Sequence, residues 1–227
     1  MLNIKEIGLC GGVWLAGACV FSFVAKGAEW IVKEKDESLG RTRRKQLFRR
    51  AAVSGGGGVT ALLCMEKKET LPASVTLFLF FAVLAGAALV DQDTLEIPDG
   101  FHGAIGLLGF VSIFTMPGVP VWERLAGSLC VSLPLFLLTA VIPGAFGGGD
   151  IKLTAACGFF LGWKSCAWGG IFAILFAGAW GAFLLASKRA GRKDHFAFGP
   201  FLAAGMAAAV FWGRRLWLIY WGFLTGR

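Results

Sequence analysis

Long apolar segments recur along this chain and limit what it can fold into. Residues 7–24, 75–90, 125–146 and 166–186 contain no charged side chain. A hydrocarbon core about 30 Å thick is crossed by roughly 20 helical residues, and in lipid only helices or closed barrels satisfy their own backbone groups. The sequence therefore predicts an all-α, polytopic integral membrane helical bundle with about eight membrane segments. These segments are 7–24, 51–65, 75–90, 101–116, 125–146, 151–162, 166–186 and 198–212.

The composition agrees with a membrane protein and indicates no metal site. Charged residues make up 16% of the chain, against about 25% in soluble domains, and the mean hydropathy is +0.70. The six cysteines occur singly and form no CxxC pair, so neither a zinc site nor a redox motif is predicted. His102 and His195 are far apart in the sequence and are interpreted as interfacial polar residues. The apolar stretch 216–224 is expected to lie in the plane of the interface.

Basic residues are concentrated in two segments between apolar runs. Residues 26–50 contain nine Lys or Arg against four acidic residues, and residues 188–193 contain four more. These segments account for the net charge of +8 without a nucleic-acid partner. The positive-inside rule places both in the cytoplasm. For residues 26–50, binding of anionic lipid headgroups and contact with a substrate remain alternatives.

A glycine triplet followed by an aspartate separates two of the apolar segments. Gly147, Gly148 and Gly149 precede Asp150, which lies where one hydrophobic run ends and the next begins. An ionisable group at membrane depth costs up to about 2.5–3.5 kcal/mol on insertion and is by default a candidate functional group. A helix N-cap after a turn is the alternative interpretation of Asp150. Lys152 is expected to hold Asp150 ionised, to bind a substrate carboxylate, or only to extend toward the interface.

A second carboxylate occupies an equivalent position. Asp91 is the first charged residue after the apolar run 75–90. If the segments alternate in direction, Asp91 and Asp150 emerge on the same, cytoplasmic side. Two carboxylates that approach within a few Å share a proton, which suits amide hydrolysis. Asp93 is the main rival to Asp91, and Asp99 is expected to cap the helix that opens at Gly100.

These residues fall in an order that resembles a known family. Asp91 is followed six positions later by Ile97-Pro98-Asp99, and then come Gly147-x-Gly149-Asp150-x-Lys152 and the stretch 198–202, Phe-Gly-Pro-Phe-Leu. This set is similar to the signature of the type IV prepilin peptidases, membrane aspartyl proteases of the GxGD class. The resemblance favours Asp91 over Asp93 and implies that Asp91 and Asp150 are catalytic. It gives supporting or substrate-binding roles to Gly147, Gly149, Lys152, Pro98 and Asp99.

The resemblance also implies a substrate and a location. Members of this family remove the short basic leader of prepilins or pseudopilins at the cytoplasmic face of the inner membrane, beside the substrate's hydrophobic helix. Proteolysis needs no cofactor, whereas many members also methylate the new N-terminus with S-adenosylmethionine. Larger members carry a zinc-binding insert with CxxC pairs after the first span, and residues 26–50 contain no cysteine here. The expected organisation is a first span at 1–25, a basic cytoplasmic loop at 26–50 and a peptidase membrane core at 51–227.

Other classes of protein remain as alternatives. A transporter would use the aspartates as a proton relay, and a structural component of a pilus or secretion assembly would use them only as helix caps. Within the GxGD class, an archaeal preflagellin-type peptidase is a close rival. A presenilin-like enzyme carries its first aspartate beside a tyrosine. The only tyrosine of this chain, Tyr220, is far from both aspartates in the sequence, which argues against that rival.

Overall fold

The computed structural model describes residues 4–35, 53, 55–57, 60, 70–187 and 196–225. Within these ranges it contains eight helices and no β-strand. The predicted all-α membrane fold is confirmed. The predicted segment 51–65 and the basic segment 188–193 lie almost wholly outside the described residues, as does His195. The helices are α1 (Ile4–Lys35), α2 (Leu71–Thr94), α3 (Asp99–Thr115), α4 (Val121–Cys130), α5 (Ser132–Val141), α6 (Gly148–Leu161), α7 (Trp163–Ala186) and α8 (Gly199–Thr225).

In the part of the chain that the structure describes, five stretches of helix are long and apolar enough to cross a membrane. Helix α3, with 17 residues, and α6, with 14, are shorter. The short α6 agrees with the short segment predicted at 151–162. The five stretches are Val13–Glu34, Leu71–Thr94, Val121–Val141, Trp163–Ala186 and Gly199–Thr225.

The chain forms two compact units, Met1–Thr94 and Leu95–Arg227, and each is described by itself. In the first unit α1 packs against α2, with the rings of Phe21 and Phe78 5.6 Å apart. A β-carbon on Gly57 would lie only 2.3 Å from the ring of Phe21. The absence of a side chain at Gly57 therefore makes room for this aromatic ring.

In the second unit the helices approach so closely that their backbones touch. A β-carbon on Gly158 of α6 would lie 2.0 Å from the carbonyl oxygen of Gly127 of α4. A β-carbon on Gly205 of α8 would lie 2.5 Å from the carbonyl oxygen of Gly169 of α7. Because lipid tails are as apolar as the side chains, membrane helices associate through such close packing rather than through the hydrophobic effect. These glycines fix the distances between α4 and α6 and between α7 and α8.

Two prolines interrupt the helix in the apolar run 125–146. Pro134 and Pro143 lie within this run, and prolines there predict kinks. The run divides into α4 and α5 at Val131, three residues before Pro134, and α5 ends at Val141, before Pro143. A proline cannot donate a backbone hydrogen bond and clashes with the carbonyl four residues earlier, which accounts for both positions.

Three helix boundaries differ from the sequence expectations. Helix α8 continues through Arg214 and Arg215 to Thr225, so the interfacial placement of 216–224 was wrong. Helix α1 continues to Lys35. Helix α2 includes Asp91 and ends at Thr94, and Leu95 then adopts a left-handed conformation with φ of 54°. Local polarity does not end a helix where its backbone hydrogen bonds can continue. The division into 1–25, 26–50 and 51–227 stays a prediction.

A fully buried guanidinium joins the C-terminal ends of two helices in the second unit. Arg124 of α4 donates to the carbonyl oxygens of Ser112 and Met116 at the end of α3, both at 3.0 Å. It also donates to Phe160 near the end of α6 at 2.9 Å and to Val119 in the connecting turn at 3.1 Å. The last carbonyls of a helix have no intrahelical partner and carry partial negative charge. Arg124 therefore satisfies these acceptors and offsets its own charge.

We expect replacement of Arg124 to destabilise the protein more than replacement of an exposed arginine. Arg124→Met leaves several buried carbonyls without a donor, at about 1–3 kcal/mol each. Arg124→Lys keeps the charge but loses the planar fork that reaches both helices. Both variants should lower the Tm of the detergent-solubilised protein by several degrees. The matched control is Arg214→Met on the exposed face of α8, and an equal loss in that variant would contradict the assignment.

Candidate active site

Asp150 lies in the first turn of α6, which begins inside the glycine triplet. Gly147 is the N-cap, with φ of −69° and ψ of 142°, and makes no side-chain capping bond. The N–H of Asp150 donates to the carbonyl oxygen of Gly147 at 3.1 Å. Asp150 is therefore not the N-cap that the alternative interpretation required. Asp150 is only 8% exposed, and the positive end of the helix dipole stabilises a carboxylate at this position.

The three glycines before Asp150 differ in their surroundings. A β-carbon on Gly149 would lie 3.2 Å from Cβ of Ile97 and 3.4 Å from its backbone nitrogen. A β-carbon on Gly147 would lie 3.1 Å from Oδ2 of Asp150, whereas one on Gly148 would meet nothing within 4 Å. The first and third glycines thus make room for the carboxylate and for the neighbouring chain. The spacing Gly-x-Gly-Asp follows from this geometry.

The segment Ile97-Pro98-Asp99 packs against this glycine turn. Pro98 is extended, with φ of −58° and ψ of 142°, and acts as the N-cap of α3 without a side-chain capping bond. Asp99 is the first residue of α3 itself, so its predicted capping role was wrong. Its Oδ1 instead accepts a hydrogen bond from Nζ of Lys152 at 2.8 Å. The structure therefore brings Pro98, Asp99, Gly149 and Lys152, all predicted from the sequence, into one place.

The Asp99–Lys152 pair is exposed to solvent. The side chains are 81% and 61% exposed, respectively. The hydrogen bond and charge of Lys152, and secondarily His102, lower the pKa of Asp99. Exposed pairs contribute little to stability because solvent screens them. The pair is better understood as an orienting contact between the starts of α3 and α6 than as a source of folding energy.

His102 also belongs to this site. It lies one turn into α3, and its Nε2 is 3.0 Å from the carbonyl oxygen of Gly149. Its Nδ1 is 3.3 Å from Oδ1 of Asp99, without the alignment of a hydrogen bond. The sequence interpretation of His102 as an interfacial polar residue missed this contact. The available signal was its spacing, since residues three apart share a helix face and His102 follows Asp99 by three.

The stretch 198–202, at the start of α8, packs against the same glycine turn. The rings of Phe198 and Phe146 meet edge to face with centroids 5.3 Å apart, and Phe146 directly precedes the glycine triplet. Phe201 packs against Trp180 of α7, and Leu202 is fully buried. The stretch 198–202 thus begins α8 and packs against its neighbours.

Asp91 and its rival Asp93 lie in the last turn of α2, in the first unit. Asp91 is 4% exposed and continues the buried face formed by Phe80, Leu84 and Ala87. Asp93 is half-buried. The carboxylate that continues the buried face is the one favoured by the resemblance. Among the residues described, no three His, Cys, Asp or Glu side chains are grouped so as to hold a metal ion.

Comparison with known proteins gives consistent matches over the middle of the chain. A model of the type IV leader peptidase family matches residues 76–186. This match contains Asp91, Ile97-Pro98-Asp99 and the glycine turn with Asp150. No solved structure matches the chain.

Several curated proteins are similar over about two thirds of this chain. The prepilin leader peptidase/N-methyltransferase of Bacillus subtilis is 30% identical over 154 residues, which cover 67% of this chain and 60% of that protein. The protein of the same name from Burkholderia pseudomallei is 32% identical over 66% of this chain and 50% of its own length. That from Aeromonas salmonicida is 28% identical over 68% and 56%, respectively. The chain thus spans between half and three fifths of the length of these relatives.

The family match, the agreement of the relatives and the packing of Ile97-Pro98-Asp99 on the Gly147–Asp150 turn point to one assignment. The spans add that this is a multi-pass membrane protein. The chain belongs to the type IV leader peptidase family.

Proposed function

We propose that this protein is a membrane aspartyl endopeptidase that removes the basic leader of prepilins or prepilin-like proteins. The observation that supports it most is the turn that places the buried Asp150 at the start of α6, held between Ile97 and the Asp99–Lys152 pair. The relatives that share this part of the chain are named prepilin leader peptidases. The names of these relatives are the basis for the proposed substrate and activity.

In this proposal Asp91 and Asp150 are the two catalytic carboxylates. Each is buried at a helix end. Asp91 precedes Ile97-Pro98-Asp99 and Asp150 directly follows the glycine triplet, and both lie within the residues that the family model matches. When two such groups act together, one stays ionised and takes a proton from water, while the protonated partner polarises the scissile carbonyl. Amide hydrolysis by this route uses no cofactor.

The proposed orientation places this chemistry at the cytoplasmic face of the inner membrane. Residues 188–193, with four basic side chains, precede Phe198 by only a few positions, and Phe198 packs beside the glycine turn. The positive-inside rule assigns such a segment to the cytoplasm. A substrate with a basic leader and a hydrophobic helix would then present its cleavage point at the level of Asp150, with membrane lipid around it.

We expect Asp91→Asn and Asp150→Asn each to lower cleavage by at least about 100-fold, because each removes an acid–base group. Asp93→Asn is the matched control and should cleave like the wild type. The measurement is coexpression with a prepilin-like substrate and detection of the shortened product by its gel mobility, with membrane insertion of every variant verified. Loss in Asp93→Asn with retention in Asp91→Asn would move the first catalytic position. An inserted wild-type chain that cleaves no prepilin-like substrate would overturn the proposal.

The glycines before Asp150 should differ in their tolerance of alanine. Gly149→Ala forces a methyl group against Ile97, an overpacking that costs about 1–3 kcal/mol and displaces the start of α6. We therefore expect Gly149→Ala to lose most cleavage and some thermal stability. Gly148→Ala, with open space at its β-carbon, should retain both. Equal loss in the two variants would show that general flexibility, rather than this contact, requires glycine.

Methyl transfer is tested separately from proteolysis. The names of the relatives include an N-methyltransferase, and that reaction would use S-adenosylmethionine. The new N-terminus does not exist before cleavage, so we expect label from methyl-labelled S-adenosylmethionine to enter the product only when Asp150 is intact. The measurement compares wild type and Asp150→Asn with a precursor substrate. Labelling of an uncut precursor by Asp150→Asn would contradict this order of reactions.

A further inference from the structure

His102 lies outside the sequence motifs that resemble the family, and it contacts the glycine turn. Its side chain is 10% exposed, and Nε2 lies 3.0 Å from the carbonyl oxygen of Gly149. Because a carbonyl oxygen only accepts hydrogen bonds, Nε2 must carry the hydrogen. The donor and acceptor are 47 residues apart in the sequence. The bond therefore connects α3 directly to the peptide group that precedes Asp150.

The backbone at this point needs a restraint from outside. Three successive glycines place few steric limits on φ and ψ, so within its own chain this turn depends on the hydrogen bonds that Asp150 and Ile151 donate to Gly147. The peptide group that joins Gly149 to Asp150 is planar and moves as one body. A hydrogen bond to the Gly149 carbonyl therefore limits the rotation of that plane. It thereby limits the position of the Asp150 Cα.

The other side of the imidazole ring faces Asp99. Its Nδ1 edge lies 3.3 Å from Oδ1 of Asp99, and the same oxygen accepts the 2.8 Å bond from Lys152. Lys152 belongs to α6, two residues beyond Asp150. The ring is thus set between a carboxylate that α6 itself orients and the backbone carbonyl that α6 presents.

We propose that His102 is a positioning residue of this site, which sets the location of the Asp150 carboxylate by donating a hydrogen bond from Nε2 to the Gly149 carbonyl. Its catalytic consequence rests on the proposed function. His102 does not take part in proton transfer to the substrate. A displacement of about 1 Å of a catalytic group costs up to 100-fold in rate, so loss of this contact should be measurable.

The kinetic test uses two amides that divide the roles of the ring. In His102→Gln the amide nitrogen takes the place of Nε2 and can still donate to Gly149, whereas in His102→Asn it takes the place of Nδ1 and reaches only toward Asp99. We expect His102→Asn and His102→Ala to lower kcat about 10- to 100-fold with KM little changed. His102→Gln should stay within about threefold of the wild type, by the same positioning argument. Gly103→Ala, next in the chain with open space at its β-carbon, is the control for changes in α3.

A second measurement is independent of cleavage. The sequence contains a single Gly-Asp pair, Gly149–Asp150. Protein labelled with carbonyl-13C glycine and 15N aspartate therefore gives one carbonyl–amide correlation in solution NMR. We expect the Gly149 carbonyl resonance to move in His102→Ala and His102→Asn and to stay near its wild-type position in His102→Gln.

The two measurements separate the possible failures. An unmoved carbonyl resonance in all three variants would overturn the contact and with it the inference. Wild-type cleavage with no kcat loss in His102→Ala would overturn the positioning role and leave the peptidase proposal intact. Resonance shifts as expected, in a wild-type protein that cleaves no prepilin-like substrate, would support the positioning of Asp150 and refute the proposed function.

Discussion

Close approach of backbones is the constraint on which the second unit depends. Lipid tails are as apolar as the side chains of the helices, so the hydrophobic effect does not drive helices together in the membrane. They associate through van der Waals packing and interhelical hydrogen bonds. Three contacts show this: Gly127 against Gly158 and Gly169 against Gly205, where a β-carbon would clash with its neighbours, and Gly149 against Ile97, where a β-carbon would be a tight fit at 3.2 Å. The first two set the framework of α4, α6, α7 and α8. The third places the start of α6, and Asp150 with it, against the chain that enters α3.

The glycine turn shows how one set of residues serves both packing and chemistry. Gly147 leaves space beside the Asp150 carboxylate, and Gly149 allows Ile97 to approach. That permissive backbone would leave the aspartate poorly fixed, and three contacts compensate for it. These are the His102 hydrogen bond, the Asp99–Lys152 pair and the ring contact of Phe198 with Phe146. Asp99 and His102 come from the start of α3, and Phe198 comes from the start of α8, so the site is ordered only when α3, α6 and α8 are assembled.

The parts of this arrangement that follow from local sequence could be predicted, and the parts that depend on distant partners could not. Apolar runs and prolines indicated the helices and the breaks near Pro134 and Pro143. The position of Asp150 between two apolar runs singled it out as a candidate for the site. The ion pair of Asp99 with Lys152 could not be predicted, because Lys152 is 53 residues away. An aspartate just before a helix is also a common helix cap. The hydrogen bonds of His102 and Arg124 could not be predicted for the same reason, because their acceptors are backbone carbonyls, which every residue carries.

The buried guanidinium has a consequence for how the protein is made. Two of the helix-end carbonyls that Arg124 contacts, on Ser112 and Met116, precede it in the chain, so they are present when it emerges from the ribosome. Those of Phe159 and Phe160 follow 35 and 36 residues later. Until α6 has been synthesised, this cation has only part of its final set of partners. The order of translation thus makes the docking of α6 the step that completes the polar interior at this end of the molecule. A nascent chain halted before that point would hold an incompletely satisfied charge.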